Sequence, residues 1–267
     1  MQDKAILVVS FGTSYPETRR RTIEALESDL CSRFPERRFY RAWTSKIIRR
    51  KLAAQGNAID SVEDALDRIR RDGIKDLLVQ TTHMLPGEEY ALTLEAIRER
   101  RSDFTSLRFG APLLVDQADL SELAHILEDS FSRIEHDSLL VFMGHGSACL
   151  QTPIYEDLET CFRQDGFRNY CVGTVEFVPG FAPVLERIRR EKPKKVYLTP
   201  LMVVAGDHAN KDMAGDGPDS WRSQILAEGV ETECLMKGLG EYPAIREMYI
   251  RHALAAAESD LWIRLTV

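Results

Sequence analysis

ALDRIRRDGIKDLLV (Ala65 to Val79) and VLERIRREKPKKVYL (Val184 to Leu198) lie on one another without a gap at an offset of 119 residues. Leu66, Arg68, Ile69, Arg70, Arg71 and Lys75 fall on identical residues. Each stretch starts with apolar residues at helical spacing and ends in a short apolar run, so a helix leads into a buried strand. In the same frame Gly87-Glu88-Glu89 falls on Gly206-Asp207-His208. Upstream the offset reads 130, pairing Tyr40 and Thr44 with Tyr170 and Thr174. Near the start it reads about 133, pairing Ser14 of SFGTS with Ser147 of GHGS. The change of frame leaves about eleven extra residues after Thr44, including the basic run from Lys46 to Lys51. Chance convergence of charged helix faces would explain the helix alone. Strand order and loop glycines repeat with it, so the chain reads as an internal duplication.

Working outward, apolar runs predict strands over 5–11, 38–44, 76–84 and 107–115, then over 138–144, 169–175, 195–204 and 231–237. Helical periodicity predicts helices over 18–34, 61–73, 88–101 and 120–134, then over 154–163, 182–191, 221–228 and 242–257. Ser61 is the expected N-cap of its helix and Gly73 stands near the C-cap. Strand and helix in alternation make an α/β protein. Two similar halves are expected, 1–134 and 135–267, each a parallel sheet flanked by helices, the second carrying most of the metal ligands.

A chain of 267 residues, 44% hydrophobic, can bury one large core or two smaller ones and is not a disordered chain. No apolar run approaches the roughly 18 to 20 residues of a membrane helix. The opening MQDKAILVVSFGTS has no apolar region followed by a small-residue cleavage site, so a cytoplasmic protein without a membrane partner is expected. A net charge of −7 disfavours nucleic acid. Cys31, Cys149, Cys161, Cys171 and Cys234 contain no CxxC pair and read as reduced, buried, small hydrophobes.

In open parallel sheets, ligands sit beyond the carboxyl ends of the strands. Three side chains stand out there, His145, Glu176 and His208, each after a different strand of the second half. Alone, each has a plain structural reading: a satisfied or surface histidine, or a carboxylate at a helix N-terminus. Together they suit a divalent first-row metal with open coordination positions. His125, His136 and His252 lie on or near helices and read as solvated, whereas His83 ends a strand and is a secondary candidate. No P-loop, GxGxxG, GxSxG or HExxH is present. The run from Lys46 to Lys51 reads as a solvated helix face, with a docking surface for carboxylates as the alternative.

LLVFMGHGS, GTVEFVPG and LTPLMVVAGDHANKDMAG resemble the anaerobic cobaltochelatases of the CbiK type, as do VVSFGTSYPETR and TTHMLPGEEY. The likeness runs over essentially the whole chain. It implies a class II tetrapyrrole chelatase with the two-half architecture shared with ferrochelatases. Such an enzyme inserts Co2+ into sirohydrochlorin without ATP, giving cobalt-sirohydrochlorin for cobalamin synthesis. The resemblance assigns the metal site to His145, Glu176 and His208, and a further active-site acid to Glu89. It implies no permanent cofactor, with Co2+ as substrate metal and Fe2+ still open. Sirohydrochlorin carries eight carboxylates. Loop N–H groups around Ser10, Gly12 and Thr13, and from Gly144 to Ser147, are expected to receive some of them, and Lys46, Arg49 and Arg50 to add charge. Ligation needs neutral imidazole, so activity is expected to fall as the pH drops through the histidine range. The alternatives are a sirohydrochlorin ferrochelatase serving sirohaem or haem, and a non-catalytic carrier of metal or tetrapyrrole. A two-domain solute-binding protein is disfavoured by the lack of an export signal, and a homo-oligomer stays open.

Overall fold

The structure is a computed structural model that describes residues 3–146 and 154–258. Among the described residues, eight strands form two four-stranded parallel sheets. β1 (Lys4–Ser10), β2 (Arg38–Trp43), β3 (Asp76–Thr81) and β4 (Ser106–Gly110) are ordered β2-β1-β3-β4. β5 (Leu139–Gly144), β6 (Tyr170–Thr174), β7 (Lys195–Pro200) and β8 (Glu231–Cys234) repeat that order as β6-β5-β7-β8. The helices of the first repeat are α1 (Pro16–Arg21), α2 (Ile23–Arg33), α3 (Lys46–Ala53), α4 (Val62–Arg71) and α5 (Glu88–Glu99). They are followed by α6 (Gln117–Phe131), α7 (Ile154–Gln164), α8 (Ala182–Glu191), α9 (Trp221–Ala227) and α10 (Pro243–Glu258). Every residue of β5, LLVFMG, is buried, as expected for a parallel strand covered on both faces. No helix among the described residues is long and apolar enough to cross a membrane.

The chain divides into two compact units, but not at 134/135. The first contains residues up to Val115 together with those from Tyr242 on, and the second spans Asp116 to Glu241. α6 belongs to the second unit because its buried face, with Leu120, Leu123 and Leu127, packs beside α7. α10 returns to the first unit, against β3, β4 and α2. There Arg246 pairs with Asp29 at 2.6 Å, Tyr249 Oη donates to Thr82 O at 3.0 Å, and the half-buried His252 meets Pro112 O through Nδ1. His252 is therefore a packing residue and not a solvated one.

The backbone corrects two of the repeat offsets by one residue. Thr44 N donates to Ser10 O, and Val175 N to Gly144 O, so Ser10 matches Gly144 at an offset of 134 (144 less 10). Thr44 then matches Val175 at 131 (175 less 44). The offset of 119 holds, since β3 begins at Asp76 and β7 at Lys195. The buried faces agree: Leu7 and Val9 share a core cluster with Val79, and Val141 and Met143 share one with Leu198. The frame read from side-chain identities would slide Leu7 onto Leu140, on the opposite face of the sheet, because side chains alternate along a strand. Gly12 now falls on Gly146, and both have left-handed φ, +101° and +92°. The extra residues of the first repeat include α3, whose N-cap is Ser45.

Most expected strands end early where their carboxyl ends turn into loops. After Pro200, the carbonyls of Met202 and Val203 accept from Leu239 N and Gly240 N instead of continuing the sheet. After Gly110, Leu113 N and Leu114 N reach back to His83 O and Met84 O. The single helix expected over 18–34 is two, broken at Thr22, whose hydroxyl donates to Thr18 O at 2.7 Å. Ser61 caps α4 in a full capping box with Asp64, and Gly73 follows at φ +78°.

Candidate metal centre

Three strands of the second unit deliver the site. The parallel ladder of β5 and β6 runs on past its last strand pair, with Glu176 N donating to His145 O at 2.9 Å. That bond sets His145 and Glu176 side by side at the sheet edge. Leu201 N bonds Met143 O at 2.8 Å and starts the β7 exit segment that leads to His208. One ligand atom from each of His145, Glu176 and His208 lies within 4.8 Å of the other two. The imidazole rings meet edge to face, with centroids 4.9 Å apart and planes at 83°. His145 and Glu176 are exposed and His208 is half-buried, so the group is open to a ligand.

Both imidazoles are held by the same nitrogen. His145 Nδ1 lies 3.0 Å from Gly146 O, and His208 Nδ1 lies 2.7 Å from Asp212 Oδ2. A carbonyl or carboxylate oxygen can only accept, so Nδ1 carries the proton in each ring and the Nε2 lone pair is free for a metal. Asp212 reaches His208 because a turn of π-helix, Ala209–Met213, follows directly. AGDHA reads as a loop in the sequence, and Asp212 is not among the candidates there. The i, i+4 spacing of His208 and Asp212 was the available signal.

The loops fit only with glycine at two places. A Cβ on Gly146 would collide with the Glu176 carbonyl, and one on Gly144 with the Tyr155 ring. Gly146 N also donates to Tyr155 Oη at 3.2 Å. Past Glu176 the turn exposes Phe177 and Val178, with Phe177 at φ +59°, and Thr174 Oγ1 closes it by accepting from Gly180 N at 2.8 Å. Ser147 and Cys149 lie outside the described residues.

The equivalent backbone positions of the first unit are Phe11 and Ser45, joined by Ser45 N donating to Phe11 O at 3.2 Å, and Glu89. Phe11 and Ser45 in the same loop geometry offer no imidazole or carboxylate, so the candidate set falls in one unit. Glu89 sits in the first turn of α5. It lines a cavity of about 290 Å³ within the first unit, together with Lys46, Arg49 and Trp43. Arg49 is partly buried, with Nε unpartnered, so the basic helix is not solvated throughout. Ser10 and Thr13 are buried, and Thr13 Oγ1 accepts from Tyr15 N, while Gly12 packs against Trp43. α1 opens with Pro16, which has no N–H to offer an anion. Of that loop, Phe11 is the residue presented to solvent, at 49% exposure.

His83 has a structural setting. Its backbone O accepts from Leu113 N and Tyr249 Oη, its Nδ1 meets Thr81 Oγ1, and burial pushes its pKa down to about 4. Cys31, Cys161, Cys171 and Cys234 are free thiols, and burial pushes Cys171 up to about 12.

A family model described as cobalt chelatase (CbiK) matches residues 4–258. A protein of Salmonella typhimurium named sirohydrochlorin cobaltochelatase is 38% identical over 250 residues, 93% of this chain and 94% of its own. A protein of Nitratidesulfovibrio vulgaris named sirohydrochlorin cobaltochelatase CbiKC is 32% identical over 262 residues, 97% and 92% of the two chains. The solved structure of SirB from Bacillus subtilis with Fe3+ shares the fold, with a TM-score of 0.66 over 96% of both chains at 12% identity. With its duplicated parallel sheets, the chain belongs to the cobalt chelatase (CbiK) family.

Proposed function

We propose that this protein inserts Co2+ into sirohydrochlorin, with His145, Glu176 and His208 presenting the ion. The observation that carries the reading is the pair of imidazoles fixed through Nδ1 with both Nε2 atoms free, beside a carboxylate. The names of the two relatives supply the substrate. Three protein ligands leave coordination positions open, and there the pyrrole nitrogens replace water one at a time. Two N–H protons leave as four nitrogen–metal bonds form, so the ion and the macrocycle give the metallated product and two protons. Glu176, exposed beside the metal position, accepts one of them. No nucleotide drives the step, because nitrogen–metal bonds replace weaker bonds to water.

The exposed Phe177 and Val178 next to Glu176 give the flat macrocycle an apolar surface to lie against. Within the first unit, Glu89 lines one cavity with Lys46 and Arg49, two cations of the kind that carboxylates bind.

Purified protein mixed with sirohydrochlorin and Co2+, without ATP, is expected to turn over faster than the spontaneous reaction, followed by visible absorption. His145→Ala and His208→Ala are each expected to remove most of the acceleration, with circular dichroism unchanged. A carrier would instead show stoichiometric binding without turnover. Parent rates in both variants would overturn the site. A parallel assay with Fe2+ separates the two metals.

A further inference from the structure

α6 and α7 pack together in the second unit, and their contact holds a second group of ligating side chains. His125 and Glu128 stand three residues apart on α6 and so share a face. Asp165 follows the last residue of α7. One ligand atom from each of the three lies within 4.8 Å of the others, and His125 Nε2 stands 3.7 Å from Asp165 Oδ2. Glu128 is the decisive member. It is only 4% exposed, and its Oε1 is buried with no hydrogen-bond partner. Buried carboxylates are normally paired with a cation or fully hydrogen-bonded, because an unpaired buried charge is costly. The charges that act on it come from Asp165, His125 and Asp129, with no lysine or arginine among them. A bound cation would supply that partner.

We propose that His125, Glu128 and Asp165 form a second divalent-cation site, separate from the one at the sheet edge, that ties α6 to the end of α7. One imidazole and two carboxylates suit a first-row transition ion such as Zn2+ or Co2+. The site is structural: its ligands come from two neighbouring helices, and the ion bridges them. It does not depend on the proposed chelatase activity, and its test reads binding rather than turnover.

The test is equilibrium dialysis of Co2+ against the full chain, first stripped with a chelator. The parent is expected to bind two equivalents. His125→Ala and Glu128→Gln are each expected to bind one, as is the double variant His145→Ala/His208→Ala, which empties the other site. A second readout is thermal. Without metal, Glu128→Gln is expected to melt at or above the parent, since the amide removes a buried charge. With Zn2+ added, the parent is expected to melt above Glu128→Gln, reversing the order. His125 is exposed, so its variant keeps the fold even if the glutamine variant does not. Two equivalents retained in both His125→Ala and Glu128→Gln would overturn the proposal. So would a single parental equivalent that disappears in His145→Ala/His208→Ala.

Discussion

Asp212 touches no metal position itself, yet it decides which nitrogen of His208 can ligate. Accepting from Nδ1, it holds the ring in one tautomer and one orientation. Asp212→Ala is expected to weaken Co2+ binding and turnover about 10- to 100-fold, as loss of such outer partners typically does. Asp212→Asn, whose Oδ1 can still accept, is expected to lose less, and equal losses would deny the positioning role. His83 gives a stability test with a definite sign. Folded, it stays neutral down to about pH 4, whereas an unfolded histidine titrates near pH 6.5. Between these values the unfolded state binds more protons, so stability falls as the pH falls. Denaturant unfolding of the parent and His83→Gln at pH 6.5 and pH 5 is expected to show the parent losing ~1–2 kcal/mol more across that step. His145, Glu176 and His208, which the structure brings together, were legible as residue types at strand ends, because metal chemistry restricts the choice to a few side chains. Asp212 was legible only as an i, i+4 partner of His208, because no periodicity announces the π turn that carries it. Glu128 was missed because its spacing fits an ordinary amphipathic helix, and only burial shows that its carboxylate is unpaired.

Loops that prolong a parallel ladder put His145 beside Glu176, and they can do so only where the backbones approach closely. Gly146 sits under the Glu176 carbonyl at a left-handed φ. Gly146→Ala is expected to push the two loops apart and lower turnover by about 10²-fold, the scale of a 1 Å misplacement of reacting groups. Unfolding of the variant should stay cooperative, and parental turnover would mean that the loop contact does not set the site. Element types and most centres were legible, since hydrophobic period separates helix from buried strand. The ends were less so. β7 was expected to reach Val204, and Pro200 with the competing bonds from Leu239 and Gly240 stops it short. The one-residue error in the repeat has a similar origin. Matching Tyr40 to Tyr170 maximises identity, but the register places Tyr40 on Cys171, because Leu7 pairs with Tyr40 and Val141 with Cys171. Side-chain identity says nothing about which face of a sheet is buried.

At the scale of the molecule, duplication was legible and the unit boundary was not. A repeat read along the sequence places the cut between repeats, while packing decides which helix covers which sheet. α6 crosses to the second sheet and α10 returns to the first. Removal of residues 242–267 is therefore expected to strip β3 and β4 of a covering helix and to leave the second unit intact. Hydrogen exchange should speed up in Leu77–Thr81 and Leu107–Gly110, with little change in Leu139–Gly144. Equal acceleration in both sheets would show that α10 does not serve the first unit alone. This arrangement also has a consequence in time. On the ribosome the second unit is complete once Glu241 has emerged, whereas the first, begun earlier, must wait for the helix that starts at Pro243. The portion translated first is thus the portion finished last, and pulse proteolysis of stalled nascent chains should find residues 116–241 resistant while residues 3–115 are still cut.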